Sequence, residues 1–261
     1  MPSSRLPIAL AAGALVVVLG GFLVFQQFLA GDDVARLTLA PVATSSADPS
    51  ASGDASADPS TDPSGSAEPS EGSGGETATA AELAGTWTVA DGSVVGYRVR
   101  EQLGGISALT DAVGRTSAVT GTATLDAGGE TLTVTEAAFE ADLTQLESDE
   151  GRRDNRIRTI GLESDTFPTA TFVLAESIEV SAEALTGQTV DVTLTGNLTI
   201  HGVTKRVSIP GQARLNGDLI EVVGSLTFPF SDFGMTPPDV AGFVQVEDDA
   251  TLEVLIALAR A

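Results

Sequence analysis

VDVTLTGNLTI, residues 190–200, sets Val190, Val192, Leu194, Leu198 and Ile200 in alternation with Asp191, Thr193, Thr195, Asn197 and Thr199. A period of two sends successive side chains to opposite faces, so this stretch reads as a strand with one apolar and one polar face. The pattern recurs on both sides: Trp87 and Val89 flank Thr88, and Phe139, Ala141 and Leu143 alternate with Glu140 and Asp142. Strands are expected near residues 86–90, 93–101, 116–126, 130–144, 169–180, 188–200, 204–215, 218–231 and 242–259. Turn chemistry falls between them, in DAGGE at 126–130, the Asn216-Gly217 pair and EDD at 247–249. About eight antiparallel strands imply a barrel or a sandwich. Periodicity does not separate the two, nor say whether the apolar faces fill their own interior or surround a cavity. One stretch breaks the rhythm: ESDEGRRDNRIRTIGL, 147–162, is densely charged and interrupted by Gly151, and a short helix or structured loop is expected there.

The N-terminal third is different. Residues 8–25, IALAAGALVVVLGGFLVF, carry no charge, and QQFLA extends the run to Ala30, about the 20 residues that cross a bilayer core. Arg5 and the α-amino group precede it and Asp32 and Asp33 follow, which predicts a cytoplasmic N-terminus and an exported C-terminal bulk. A cleaved signal peptide would have a shorter apolar region and a small-x-small site, whereas Phe28 is bulky and Pro41 follows Ala40; a retained anchor is the favoured reading. Residues 41–80 contain only Pro, Ser, Ala, Gly, Thr, Asp and Glu apart from Val42, with near-repeats of ADPS. Such a stretch buries too little apolar area to offset chain entropy and is expected to be a disordered tether, reaching on the order of 35 Å as a coil. The expected organisation is a cytoplasmic 1–7, a transmembrane signal anchor 8–30, a disordered linker 31–83 and a β domain 84–261. The cell membrane is thus one expected partner.

Composition narrows the chemistry. With 36 acidic against 13 basic side chains the net charge is −23, which repels a phosphate backbone, so no nucleic-acid partner is expected. The chain has no cysteine, which removes disulfides, thiolate metal sites and Cys nucleophiles. His201 is the only histidine and is read as structural or exposed, since neither a multi-histidine metal site nor a nucleophile partnered to it is apparent. Asp232-Phe233-Gly234 spells a kinase tripeptide without the other kinase motifs, and Asp248 and Asp249 lack the spacing of a calcium loop; both read as turns. Neither a catalytic residue nor a metal nor a cofactor is expected. A hydrolase using paired carboxylates is the remaining enzymatic reading, weakened because the acids fall mostly in turns and on polar faces.

Four ordered blocks carry a resemblance: GTWTVADGSVVGYRV from Gly85, GRRDNRIRTIGLESDTFPTATFV from Gly151, LTGNLTIHGVTKRVSIP from Leu194 and FSDFGMTPP from Phe230. Together they resemble the YceI-like polyisoprenoid-binding family over nearly all of 84–261. Gly92 stands where many members carry His, so any role of that His does not transfer. The resemblance implies an all-β fold, an antiparallel lipocalin-like barrel of about eight strands, whose apolar cavity holds a prenyl chain as ligand. Same-parity positions then nominate Tyr97, Val99, Phe139, Leu143, Phe172, Leu174, Phe228, Phe230, Val254 and Ile256 as cavity-lining, although ordinary core packing is the favoured reading for any one of them taken singly. Four arginines within seven residues make Arg152 and Arg156 candidates for a phosphate or quinone headgroup. The alternative is that this cluster pairs with Glu147, Asp149, Glu150, Asp154 and Glu163 as a surface network. Two functions stay open: a membrane-anchored extracytoplasmic carrier of a polyprenyl lipid, or a ligand-free interaction domain on a stalk. Homodimerisation is left open.

Overall fold

A computed structural model describes residues 34–40, 78–103, 109–129, 131–240 and 244–261. The expected cytoplasmic tail, the candidate membrane span and residues 41–77 of the expected linker lie outside them. Among the described residues no helix is long and apolar enough to cross a membrane.

The described strands are β1 (Gly85–Val89), β2 (Val94–Leu103), β3 (Leu109–Thr116), β4 (Val119–Gly128), β5 (Thr131–Asp142), β6 (Glu147–Ser148) and β7 (Thr169–Leu174). They continue as β8 (Ile178–Val180), β9 (Val190–Ile200), β10 (Val203–Asn216), β11 (Leu219–Pro229), β12 (Asp239–Val240) and β13 (Val244–Arg260). The pairing order β1-β4-β5-β7-β9-β10-β11-β13 returns to β1, with Trp87 opposite Arg260, so eight antiparallel strands close a ring. Closure leaves no exposed edge in that ring. β13 is long enough to serve two strands in succession. Leu258 to Arg260 lie opposite Val89 to Trp87 of β1, while Val244 to Leu255 run along β2, which carries β3 and β6 outward.

The hairpins follow from their turn residues. Ile200 pairs with Val203, leaving His201 and Gly202 at φ 52° and 71°, the left-handed pair that a tight two-residue turn demands. In the next hairpin Asn216 pairs with Leu219, so the turn is Gly217-Asp218, one residue later than the sequence suggests.

Several expectations are corrected. β3 is a strand the alternation missed, and the strand expected at 116–126 begins at Val119. Residues 169–180 divide into β7 and β8. Glu247 to Asp249 form no turn: they lie inside β13, where a bulge between Val246 and Ala250 absorbs the irregularity. The charged stretch takes the helical one of its two readings, with α2 (Gly151–Arg156) running into a π-helical turn at Ile157–Gly161.

Parts of the expected linker belong to the fold. A short helix α1 (Ala80–Leu83) starts at a Thr79–Glu82 capping box, and the backbone and hydroxyl hydrogen bonds from Thr79 hold the exposed Glu82 carboxyl below its ordinary range. Trp87 Nε1 donates to the Leu83 carbonyl at 2.9 Å, and the Ala78 N–H to that of Leu185 at 3.1 Å. Residues 34–40 lie on the outer wall: Arg98 donates to the Val34 carbonyl at 2.8 Å, Arg115 to that of Ala35 at 2.5 Å, and Arg36 stands 3.9 Å from Glu253.

Candidate functional site

Inward residues of the ring form two apolar clusters. One gathers Trp87, Leu125, Leu132, Leu185 and Leu258, the other Phe172, Leu198, Ile200, Phe228, Phe230 and Phe233. Phe139 and Leu174 pack against both, at the waist between them. The clusters do not fill the interior. Between them runs a cavity of about 660 Å³, within the ~300–1,000 Å³ of small-molecule sites.

The lumen stays open partly because its aromatic rings lie along the wall instead of across it. A Cβ on Gly114 would meet the Tyr97 ring at 2.3 Å, and one on Gly196 would meet Phe172 Cζ at 2.4 Å. Each ring lies over a glycine on a neighbouring strand, and only the missing side chain allows that approach.

All ten cavity candidates from the sequence line this space: Tyr97 and Val99 from β2, Phe139 from β5, Phe172 and Leu174 from β7, Phe228 from β11, and Val254 and Ile256 from β13. Leu143 and Phe230 line it from the short 3₁₀ turns that follow β5 and β11. Sequence reasoning missed Ala112 of β3 and Leu83 of α1, which also line it. The first sits on the missed strand and the second on what reads as linker; Leu83 carried a signal in the Thr79-x-x-Glu82 capping pattern that precedes it.

Polar groups gather along α2. Ser148 holds the helix through Asp154, its N–H donating at 3.0 Å and its hydroxyl at 2.6 Å, while Arg153 bonds Glu101 at 2.6 Å and also Asp149. Arg153 is therefore a structural arginine clamping the helix to β2. All three arginines line the cavity, but Arg152 and Arg156 differ in that among the described residues neither guanidinium has an ion pair or hydrogen bond. The expected surface network thus reduces, for these arginines, to Arg153 with Asp149 and Glu101. An i, i+4 spacing puts Arg152 and Arg156 on one helix face, where two uncompensated like charges cost a few tenths of a kcal/mol unless an anion joins them.

Tyr97 faces the same region. Its hydroxyl is buried without a hydrogen-bond partner among the described residues, which for a phenol calls for a partner such as a ligand or water. Burial, chiefly, pushes its pKa well above the ordinary tyrosine value, with Arg153 opposing and Asp154, Glu101 and Asp149 adding to the rise. The group stays a neutral donor at physiological pH. Because Tyr97 is the only tyrosine, an alkaline absorbance titration reads it alone: no phenolate is expected in the native protein at pH ~10, where a free phenol is half ionised. The sign for stability follows, since the unfolded chain releases this proton first and folding therefore weakens as pH rises above ~10. Ionisation at the free-phenol value in a folded protein would show that the hydroxyl is solvated.

The remaining motifs are structural. The His201 ring packs on Phe167 with centroids 4.3 Å apart and lies 3.7 Å from Glu163, outside the cavity lining. Asp232 pairs with Lys205 at 3.1 Å while Phe233 is in the core. Among the described residues no three His, Asp or Glu are grouped to hold a metal ion.

The sequence pattern of the YceI-like domain matches residues 87–258. No curated protein matches the chain in sequence. Among solved structures it is similar to a polyisoprenoid binding domain from Saccharophagus degradans implicated in plant cell wall breakdown, with 17% identity, 68% of this chain and 99% of that one covered, and a TM-score of 0.49. It is similar also to BcnA of Burkholderia cenocepacia (17% identity, 62% and 95% covered, TM-score 0.45) and to a YCEI protein of Campylobacter jejuni (16%, 57% and 84%, 0.43). With the family pattern running from β1 to the last turn of β13, the chain belongs to the YceI-like domain family.

Proposed function

We propose that the protein is a membrane-anchored, extracytoplasmic carrier that holds a polyisoprenoid lipid, a prenyl quinone or prenyl phosphate, with its tail in the barrel and its head toward Tyr97, Arg152 and Arg156. It is a binding protein and not an enzyme. The observation that carries this reading is the continuous apolar cavity of about 660 Å³. Each methylene withdrawn from water contributes about 0.8 kcal/mol, so a multi-isoprene tail burying about ten such groups gains ~8 kcal/mol before the costs of association. Membership of the YceI-like family supports the same ligand class. Anchoring and export rest on the apolar run 8–30 and its flanking charges.

The test is organic extraction of the full chain purified from membranes, followed by mass spectrometry. A near-stoichiometric prenyl species is the expected result. Preparations that yield none, together with added prenyl lipids that neither bind nor raise the unfolding midpoint, would leave the ligand-free interaction domain in its place. For the headgroup, Arg152→Gln with Arg156→Gln is expected to weaken a prenyl diphosphate at least tenfold, since hydrogen bonds to charged groups contribute ~1.5–3 kcal/mol. A neutral prenyl alcohol should change little. Equal losses for both ligands would remove the arginines from headgroup recognition.

A further inference from the structure

The outer wall formed by β11, β13, β2 and β3 carries residues that a solvent-facing surface does not bury. Glu253 is 2% exposed, Arg98 5% and Val223 9%. All three point away from the cavity, since their chain neighbours Tyr97, Val99, Val222, Leu252 and Val254 line it. Buried outward groups need a cover, and residues 34–40 lie there. Arg98 gives its Nε to Glu253 at 2.7 Å, one terminal nitrogen to Asp111 and the other to the Val34 carbonyl, and one terminal nitrogen of Arg115 serves both Glu253 at 3.0 Å and the Ala35 carbonyl. Arg36 adds a third cation to Glu253, and Leu37 borders a small hollow against Val223 and Ser225. Leu37 and Leu39 are half-buried while Arg36 and Thr38 are exposed, the alternation of an extended segment resting on a surface.

We propose that residues 34–40 are a strap that docks on the outer wall of the barrel, so that the domain is joined to its N-terminal membrane stem at Val34 and not at Ala78. The described chain is held on the barrel on both sides of residues 41–77, at the strap and at Ala78, which donates to Leu185. The membrane part of this inference rests on the reading of 8–30 as bilayer-embedded. From Ala30 to Val34 an extended chain spans at most about 14 Å. Docking therefore holds the β2–β13–β11 wall close to the bilayer.

Because the chain has no native cysteine, introduced pairs report cleanly. In the detergent-solubilised full chain, Thr38→Cys with Ser225→Cys is expected to be joined by a short bis-maleimide at least tenfold faster than Thr38→Cys with Val173→Cys, on exposed β7 across the ring. Equal rates overturn the strap. The stem is tested separately by alkaline carbonate extraction of membranes. Retention supports the anchored form, and release overturns the membrane part while leaving the cross-linking result to stand on its own. In reconstituted vesicles, energy transfer from a dye on Ser225→Cys to a bilayer dye should fall at least twofold when Arg36→Glu and Leu37→Asp are added; unchanged transfer overturns the strap as the link that holds this wall near the membrane.

Discussion

Glu253→Ala is expected to lower the unfolding midpoint by about 10 °C. Its carboxylate accepts from Arg98 at 2.7 Å and Arg115 at 3.0 Å, and the Glu253 and Arg98 side chains are 3% and 5% exposed. Deleting one partner of a buried pair leaves the other charge without compensation and costs ~3–5 kcal/mol, and a domain of this size loses roughly 2–4 °C per kcal/mol. Asp111, 2.8 Å from Arg98, and the Val34 carbonyl soften the loss without replacing it. Arg100→Ala is the control: its partner Glu247 is 3.8 Å away and both are about half exposed, so the midpoint should stay within ~2 °C. Scanning calorimetry decides, and a Glu253 shift no larger than the control would mean the wall cluster is hydrated.

The second large effect falls on binding with little effect on folding. Leu174→Trp puts an indole at the waist where both apolar clusters meet, and a tail that runs the length of the cavity cannot pass it. Affinity for a long prenyl lipid should drop at least 100-fold, roughly the 2.7 kcal/mol that two decades of affinity represent. The cavity offers room for the larger side chain, so its overpacking should sit at the low end of the usual ~1–3 kcal/mol and move the midpoint by only a few degrees. Circular dichroism and lipid titration on the same preparation separate the two readouts. Unchanged affinity in a folded Leu174→Trp protein would put the lipid outside the barrel.

The strand at 109–116 shows why part of the fold was hidden. Its inward positions are Thr110, Ala112, Gly114 and Thr116, small or polar, because the Tyr97 ring of the neighbouring strand occupies the space over Gly114. Its outward Asp111 and Arg115 serve the Arg98–Glu253 cluster. With no continuous apolar face of its own, β3 has no period to detect. The strap was hidden differently: Leu37 and Leu39 do alternate with Arg36 and Thr38, but so short an alternation beside a Ser/Pro/Asp-rich stretch carries little weight until the wall it covers is known.

Parity along each strand is local, and one wrong step would turn every apolar side chain outward. The sequence by itself therefore determined the all-β class, the inward set from Tyr97 to Ile256 and the family. Whether those inward residues met in a solid core or around a lumen depended on contacts between different strands, such as Phe172 over Gly196 and Tyr97 over Gly114. The division of labour among the arginines was equally non-local. Arg153 is drawn to Glu101, 52 residues away, and Arg152 and Arg156 line the same cavity without an ion pair among the described residues. No pattern within α2 distinguishes them, because the carboxylate that makes the difference arrives on another strand.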